Sequence, residues 1–314
     1  MAAHTSARRS PSRPLMVVIA GMTGAGKTTF ASLASGHPLE IGHGLDPCTQ
    51  DPQAVRFVMD GRQIILIDTP GFDDTNRNDV EILEDIAKWM TKEGLLRDQQ
   101  PLDGFIFLHP IHELGRLDSG MEKKRTRLIQ KILGKDAYKR VVIATTMWGS
   151  IAKEYHGLIE ESLGFRKDQG VWGDFHRGGA IFTQHHNTKE SADTIIRLIM
   201  ERSNEAEKVE TLLQNELAGN RSGRFTDTSV GQELRTHLED EIGTIMDQLL
   251  KHRLERPPES WRKTWEPEHR RKCKEWDEEA QHLTRRLEQR EAQLKILNNS
   301  FGFRLLQFWG KLWR

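Results

Sequence analysis

Eight residues, "GMTGAGKT" from Gly21 to Thr28, carry the spacing G-x-x-x-x-G-K-T behind an apolar run and ahead of a helical pattern. That arrangement suits the binding of phosphate. Glycines let backbone N–H groups close around an oxyanion, and the following helix points its positive end at the charge. Gly21, Thr23, Gly24, Ala25, Gly26, Lys27, Thr28 and Thr29 are the candidate cradle. Lys27 should reach the β- and γ-phosphates, and Thr28 should give its hydroxyl to Mg2+.

A second element, "IILIDTPGFDD", delivers Asp68 to the carboxyl end of an expected strand, where it can hold the Mg2+ shell through water. Gly71 frees a backbone N–H to meet a γ-phosphate. Asp60-Gly61, a tight hairpin signal, lies between the cradle and this element. The order separates GTPase-like P-loop chains from ATPases of the recombinase or transporter type. In the intervening "GLDPCTQDPQ", Thr49 is the candidate switch threonine, binding Mg2+ and the γ-phosphate. Thr28, Thr49 and Asp68 are thus the expected metal ligands, and Thr49 and Gly71 the residues that meet the reacting phosphate.

With "GMTGAGKT", Thr49, "DTPGFDDT" and a helical tail, the chain resembles the septin-like P-loop GTPases. That group contains septins, chloroplast import receptors and the GTPases of immunity-associated proteins. "LHPI…R…SG" and "TTMW" are most similar to fungal G-domain proteins of this kind. The resemblance covers residues 14 to about 200. It implies a switchable domain binding GTP and GDP with Mg2+, weak intrinsic hydrolysis, and dimerisation through the nucleotide face.

Guanine is normally read by N/T-K-x-D after a late strand. Here "RVVIA" runs into Thr145-Thr146-Met147-Trp148, with Thr145 at the Asn/Thr place and Trp148 where the acid would stand. Trp148 either stacks on a base or caps the sheet edge. The missing acid leaves discrimination against ATP open, and GTP is what the resemblance implies. Gln184 and His185 in "FTQHHNTKES" are expected to add backbone contacts to the base. Phe72 follows D-T-P-G, where a water-positioning glutamine might have stood, and Gly24 occupies the place of the asparagine in potassium-activated relatives. Arg77 and Arg116 are candidate fingers, with a solvated surface arginine as the plainer reading of each. Turnover is therefore expected to be slow and completed by a partner chain. His109, His112, His185 and His186 join no carboxylate or cysteine in a metal-binding pattern and read as loop or core histidines.

The elements that must position these residues are legible as apolar runs. "LMVVIAG", "AVRFVMDG", "QIILIDTPG", "GFIFLHP", "RVVIATT" and "GGAIFTQH" predict six strands. Helical patterns fall near 27–35, 78–92, 119–133, 151–163 and 189–202. The expected fold is α/β: a P-loop NTPase G domain with a mostly parallel six-stranded sheet and one antiparallel pair, then a helical, partly coiled-coil C-terminal region. Leu234, Leu238, Ile242, Ile245 and Leu249 mark one amphipathic helix, ended by Pro257-Pro258. Trp276, Ala280, Leu283, Leu287, Arg290, Leu294 and Leu297 give about three heptads with one charged intruder. That stripe reads either as a coiled coil or as a helix folded back on the G domain. The expected domains are a disordered leader at 1–13, the G domain at 14–202 and the helical extension at 203–314.

Composition narrows the rest. Forty-six basic residues balance 46 acidic ones, so no nucleic-acid partner is expected, and a hydrophobic content of 36% suggests a compact domain diluted by charged helix. Cys48 and Cys273 are the only thiols, which suits a reducing, cytoplasmic compartment. The terminal "NNSFGFRLLQFWGKLWR" interleaves aromatics with cations, as a peripheral membrane contact would, or docks on the G domain. A homodimer or larger oligomer is expected through the nucleotide face or the coil. The leading reading is a slow regulatory GTPase acting as an assembly switch. The alternatives are a nucleotide-stabilised scaffold with negligible hydrolysis and an ATP-binding P-loop protein.

Overall fold

The structure, a computed structural model, describes residues 13–39, 53–69, 102–116, 120–168, 172–204, 209–219 and 224–299. Thr49, Gly71, Phe72, Arg77, Cys48, the helical pattern at 78–92, residues 1–12 of the leader and the aromatic tail lie outside them, as does the side chain of Arg116. The chain divides into two compact units, Met1–Asn215 and Glu216–Arg314.

The first unit is built on six strands: β1 (Leu15–Gly21), β2 (Gln53–Met59), β3 (Arg62–Asp68), β4 (Gly104–Pro110), β5 (Val141–Thr146) and β6 (Ile181–Gln184). They lie in the order β2-β3-β1-β4-β5-β6, antiparallel between β2 and β3 and parallel elsewhere. This is the expected sheet, and its register explains the sequence texture. β1 has parallel neighbours on both sides, and all seven of its residues are buried, which is why it reads as an unbroken apolar run. β2 is an edge strand and alternates, burying Val55 and Met59 while Arg56 and Val58 face solvent.

Asp60 and Gly61 both take positive φ, 49° and 76°, the two-residue turn whose twist matches the flanking strands. Asp60 also accepts from Arg197 (Nε to Oδ2, 2.8 Å), a charge partner that lowers its carboxyl pKa. Arg197 belongs to the helix after β6, so the turn is tied down as well as formed.

Two helices flank the phosphate loop's strand, α1 (Lys27–Ser35) and, after β6, a helix over Lys189–Asn204. Phe30, Ala31 and Ala34 from α1 meet Ala192, Ile195, Ile196 and Ile199 over Leu15, Val17 and Ile19 in one apolar cluster. Between them in sequence lie α2 (Gly120–Leu133), α3 (His156–Asp168) and α4 (Gly173–Arg177), making the Lys189–Asn204 helix α5. α3 starts five positions later than the pattern at 151–163 suggests, because short 3-10 turns at Trp148–Ser150 and Lys153–Tyr155 precede it.

At the sheet's entry, Asp103 is buried and takes both guanidinium branches of Arg13, at 2.7 and 2.6 Å, and the N–H of Met16 at 2.9 Å. The first unit runs beyond residue 202 because the following segment still packs on it. Val209 and Leu213 are buried, and Leu212 closes on Gly134. A helix, α6 (Leu212–Gly219), straddles the division.

The second unit is a helical hairpin. α7 (Ser229–Leu254) starts at Thr228, whose hydroxyl accepts from the Gly231 N–H at 3.1 Å. A short α8 (Glu259–Arg262) leads to α9 (Pro267–Asn299). The two long helices pair antiparallel: His252 meets Trp276, Glu241 meets Arg290, and Arg235 meets Asn298. On α9, Leu283 and Leu297 are buried while most intervening residues are exposed. The heptad stripe is therefore packed against α7 of the same chain. The charged intruder is explained too. Arg290 Nε lies 2.6 Å from Glu241 Oε2 on α7. Among the described residues no helix is long and apolar enough to cross a membrane.

Candidate functional site: a phosphate cradle with a metal-binding edge

The cradle lies where β1 turns into α1. A Cβ on Gly21 would collide with the Leu108 carbonyl oxygen of β4, and Gly21 has φ 151°, so only glycine passes here. Gly26 takes φ 90° and ψ 22° as the residue before α1, with no side-chain cap. The positive end of the α1 dipole therefore opens onto the loop. Lys27 is 7% exposed, and its Nζ donates to the carbonyls of Gly21 (3.1 Å) and Met22 (2.9 Å). The ammonium is thus held across the mouth of the loop, where incoming phosphate oxygens are stronger acceptors than the carbonyls it uses.

Thr28, one residue on, donates its hydroxyl to Asp68 Oδ2 at 2.8 Å. Asp68 ends β3 and is 1% exposed, and the adjacent Thr69 is fixed by donating to the Ile19 carbonyl at 2.7 Å. Two of the three expected metal ligands are therefore brought together. One hydroxyl and one carboxylate make a hard, oxygen-only set, which fits Mg2+, an ion that keeps waters and completes its shell with phosphate. The third expected ligand, Thr49, lies outside the described residues, as does Gly71.

At the base end, the side chains of Thr145, Thr146 and Trp148 are bonded internally. Thr146, rather than Thr145, ties β5 to the cradle, donating its hydroxyl to the Ala25 carbonyl at 3.0 Å. Thr145 points into the sheet, donates to the Thr183 carbonyl at 3.2 Å and receives the indole N–H of Trp148 at 3.1 Å. Trp148 is 3% exposed, its ring edge-on to His156 at 5.1 Å. This is the arrangement of a sheet-edge cap. The His185 N–H is spent on the Thr145 carbonyl at 2.8 Å, and the Gln184 side chain donates to Glu160 at 2.9 Å. The His185 ring meets Ser191 Oγ at 2.8 Å and Phe30 edge-on at 5.0 Å; burial, then the charge of His186, pushes its pKa down to about 4. His109, set among Phe107 and Trp172, is pushed to about 3, chiefly by burial. Both rings are neutral core groups near pH 7.

The residue that sequence reasoning missed is Met147. It has φ 65° and is 36% exposed. A left-handed methionine leaves no trace in sequence; β5 itself ends at Thr146, as "RVVIATT" predicts.

Residues 16–146, from β1 through the end of β5, match the 50S ribosome-binding GTPase family. Over 172 residues the chain is 25% identical to GTP-binding protein A of Dictyostelium discoideum, a match covering 52% of this chain and 34% of that protein. The chain thus spans about a third of that relative's length. Among solved structures, Toc33 from Arabidopsis thaliana in complex with GDP and Mg2+ aligns with a TM-score of 0.48 at 14% identity, over 64% of this chain and 88% of that one. Era, in complex with MgGDPNP and a segment of 16S ribosomal RNA, aligns with a TM-score of 0.43 at 20% identity, over 62% of this chain and 58% of that one. The matched span holds the cradle, the Asp68 strand end and five of the six strands, and it has the P-loop NTPase G-domain fold.

Proposed function

We propose that the protein binds GTP and GDP with Mg2+ and works as a slow regulatory GTPase, a switch whose state depends on the bound nucleotide. The observation that carries this reading is the Thr28–Asp68 hydrogen bond, which joins the cradle to the end of the strand that runs into "TPG". The match to a GTPase family over residues 16–146 and the name of the Dictyostelium relative favour guanine over adenine nucleotides. Membership of the septin-like branch, and self-association through the nucleotide face, rest on the sequence resemblance.

In this reading the N–H groups at the start of α1 hold phosphate oxygens, and Lys27 leaves its loop carbonyls to neutralise the β- and γ-phosphates. Thr28 and Asp68 hold Mg2+, which supplies positive charge against the charge that develops on the phosphate oxygens. Thr49 and Gly71 are assigned the γ-phosphate contacts that make the state nucleotide-dependent. Peripheral membrane contact through the tail remains a further part of the proposal.

Competition of GTP and ATP against a fluorescent GDP analogue tests the nucleotide. GTP should displace the analogue at lower concentration than ATP, and Lys27→Ala should abolish binding. Tighter displacement by ATP would overturn the assignment. Phosphate release should be slow and should rise per mole of protein as the protein is concentrated. A fast rate independent of concentration refutes the self-assisted switch. Bound GTP that is never hydrolysed would instead mark a nucleotide-stabilised scaffold.

A further inference from the structure

We propose that the outward stripe of α7, Gly243, Met246, Leu250 and Leu254, is a surface for a second copy of this chain. The two copies of the stripe pack antiparallel, centred on Leu250. The surface is not the nucleotide face, and the proposal does not rest on the nucleotide reading.

The hairpin leaves α7 with two apolar sides and covers one of them. Leu234, Leu238, Ile245 and His252 are buried on the side that meets α9. With 3.6 residues per turn, Gly243, Leu250 and Leu254 lie about 140–180° round the helix from Ile245, and Met246 about 100°. Met246 is 54% exposed, Leu250 61% and Leu254 81%. They recur every fourth residue, so they form one ridge about 12 Å long. A helix that is apolar on opposite sides belongs inside a bundle, and here one side faces solvent.

Gly243 points the same way. Glycine within a helix costs stability relative to alanine. A Cβ at Gly243 would meet nothing within 4 Å, so the chain's own packing does not require the exchange. A glycine on an open helix face lets a second backbone approach closely.

Charge selects the occupant and its direction. Asp240 and Asp247 precede Leu250, Lys251 and Arg253 follow it, and all four are exposed. An antiparallel pair centred on Leu250 sets the acidic half of one helix against the basic half of the other. A parallel pair would set like charge on like. A stripe complementary to itself under a two-fold rotation fits a second copy of the same chain. Three apolar side chains from each copy make a small contact, so the association is weak and depends on concentration.

The test is sedimentation of the full chain without nucleotide or Mg2+, so that a nucleotide-dependent contact does not contribute. The parent should show a monomer–dimer equilibrium. Leu250→Ser should weaken it about tenfold or more, since each copy loses an apolar contact, with helix content by far-UV circular dichroism unchanged. A parent that stays monomeric at every concentration overturns the proposal. So does a dimer that Leu250→Ser leaves as tight. Mild oxidation reads the register, with the parent as control for Cys48 and Cys273. Leu250→Cys should link two chains. Met246→Cys should not, because in the antiparallel pair its copy lies about 12 Å away along the axis, beyond the reach of a disulfide. Equal linking of both would mean parallel pairing, and linking of neither a different contact; either result overturns the proposal.

Discussion

The Thr28 hydroxyl donates to Asp68 Oδ2 at 2.8 Å, closing the distance between the first turn of α1 and the last residue of β3. Two elements far apart in sequence thereby present one oxygen-lined edge. In the reading advanced above, that edge is where Mg2+ meets the phosphates. Thr28→Ala should lower GDP affinity about tenfold in Mg2+, the scale of one hydrogen bond involving a charged group. In the presence of EDTA the same variant should bind GDP as the parent does. Titration of a fluorescent GDP analogue under both conditions decides it. An equal loss with EDTA would show that Thr28 serves the cradle rather than the metal.

The backbone of the cradle makes a separate prediction about stability. A Cβ on Gly21 meets the Leu108 carbonyl oxygen, which belongs to the adjoining strand and has no room to retreat. Gly36 also has a positive φ, 71°, but a Cβ there meets nothing within 4 Å. Gly36→Ala should therefore cost about 1 kcal/mol, the conformational term alone, and Gly21→Ala about 2–4 kcal/mol, with overpacking added. Urea unfolding of the two variants measures the gap. Equal costs would mean that the strands part easily at Gly21.

Most of the first unit was legible because its physics is local. A parallel central strand must be apolar throughout, and "LMVVIAG" is; a two-residue hairpin needs positive φ twice, and Asp60-Gly61 supplies it. The glycine turn ahead of α1 and the Thr28–Asp68 contact follow from spacing for the same reason. The base end was not legible. Which threonine of Thr145-Thr146 faces the cradle depends on where β5 stops, and one residue of difference turns every following side chain to the other side. The sequence left Trp148 open between a base platform and a sheet-edge cap, and its burial, with its N–H on Thr145, takes the second. The stripe on α9 was read correctly as a stripe, but periodicity does not say whose helix covers it. Only the pairing of Arg290 with Glu241 and of Trp276 with His252 assigns it to α7.

The two neutral core histidines contribute to the response to acid. Burial holds His185 near pKa 4 and His109 near 3, against an ordinary 6.5 in the unfolded chain. Folded values below unfolded ones mean that the unfolded chain takes up protons which the folded chain refuses. Stability is then fully present above pH 6.5 and falls as pH drops, down to about 4 for His185 and about 3 for His109. Thermal melts between neutral pH and pH 4.5 should show a declining Tm. His185→Asn, which retains a polar partner for Ser191, should flatten the slope by roughly half, one of the two protons being removed. A Tm for that variant with the parent's full pH slope would assign the effect to other groups.

The helical hairpin yields a prediction that also tests whose helix covers the stripe. Trp276 and His252 stack at 4.6 Å with rings 10° from parallel, and each backbone carbonyl accepts from the other's ring: Trp276 Nε1 donates to the His252 carbonyl at 3.0 Å, and His252 Nε2 meets the Trp276 carbonyl at 2.9 Å. Trp276→Phe retains an aromatic face and loses one donor, so it should cost about 1 kcal/mol. Trp276→Ala removes the stack as well and should cost about 2–3 kcal/mol, toward the lower end for a large side chain that is only partly enclosed. Far-UV circular dichroism melts of the full chain report both losses, because α7 and α9 hold much of its helix. Sedimentation of the same samples supplies the discriminating readout. With the stripe covered inside one chain, the oligomeric state should be the same for parent and both variants at matched concentration. A variant that dissociates an oligomer while keeping its own helix content would show that the stripe joins two chains in solution.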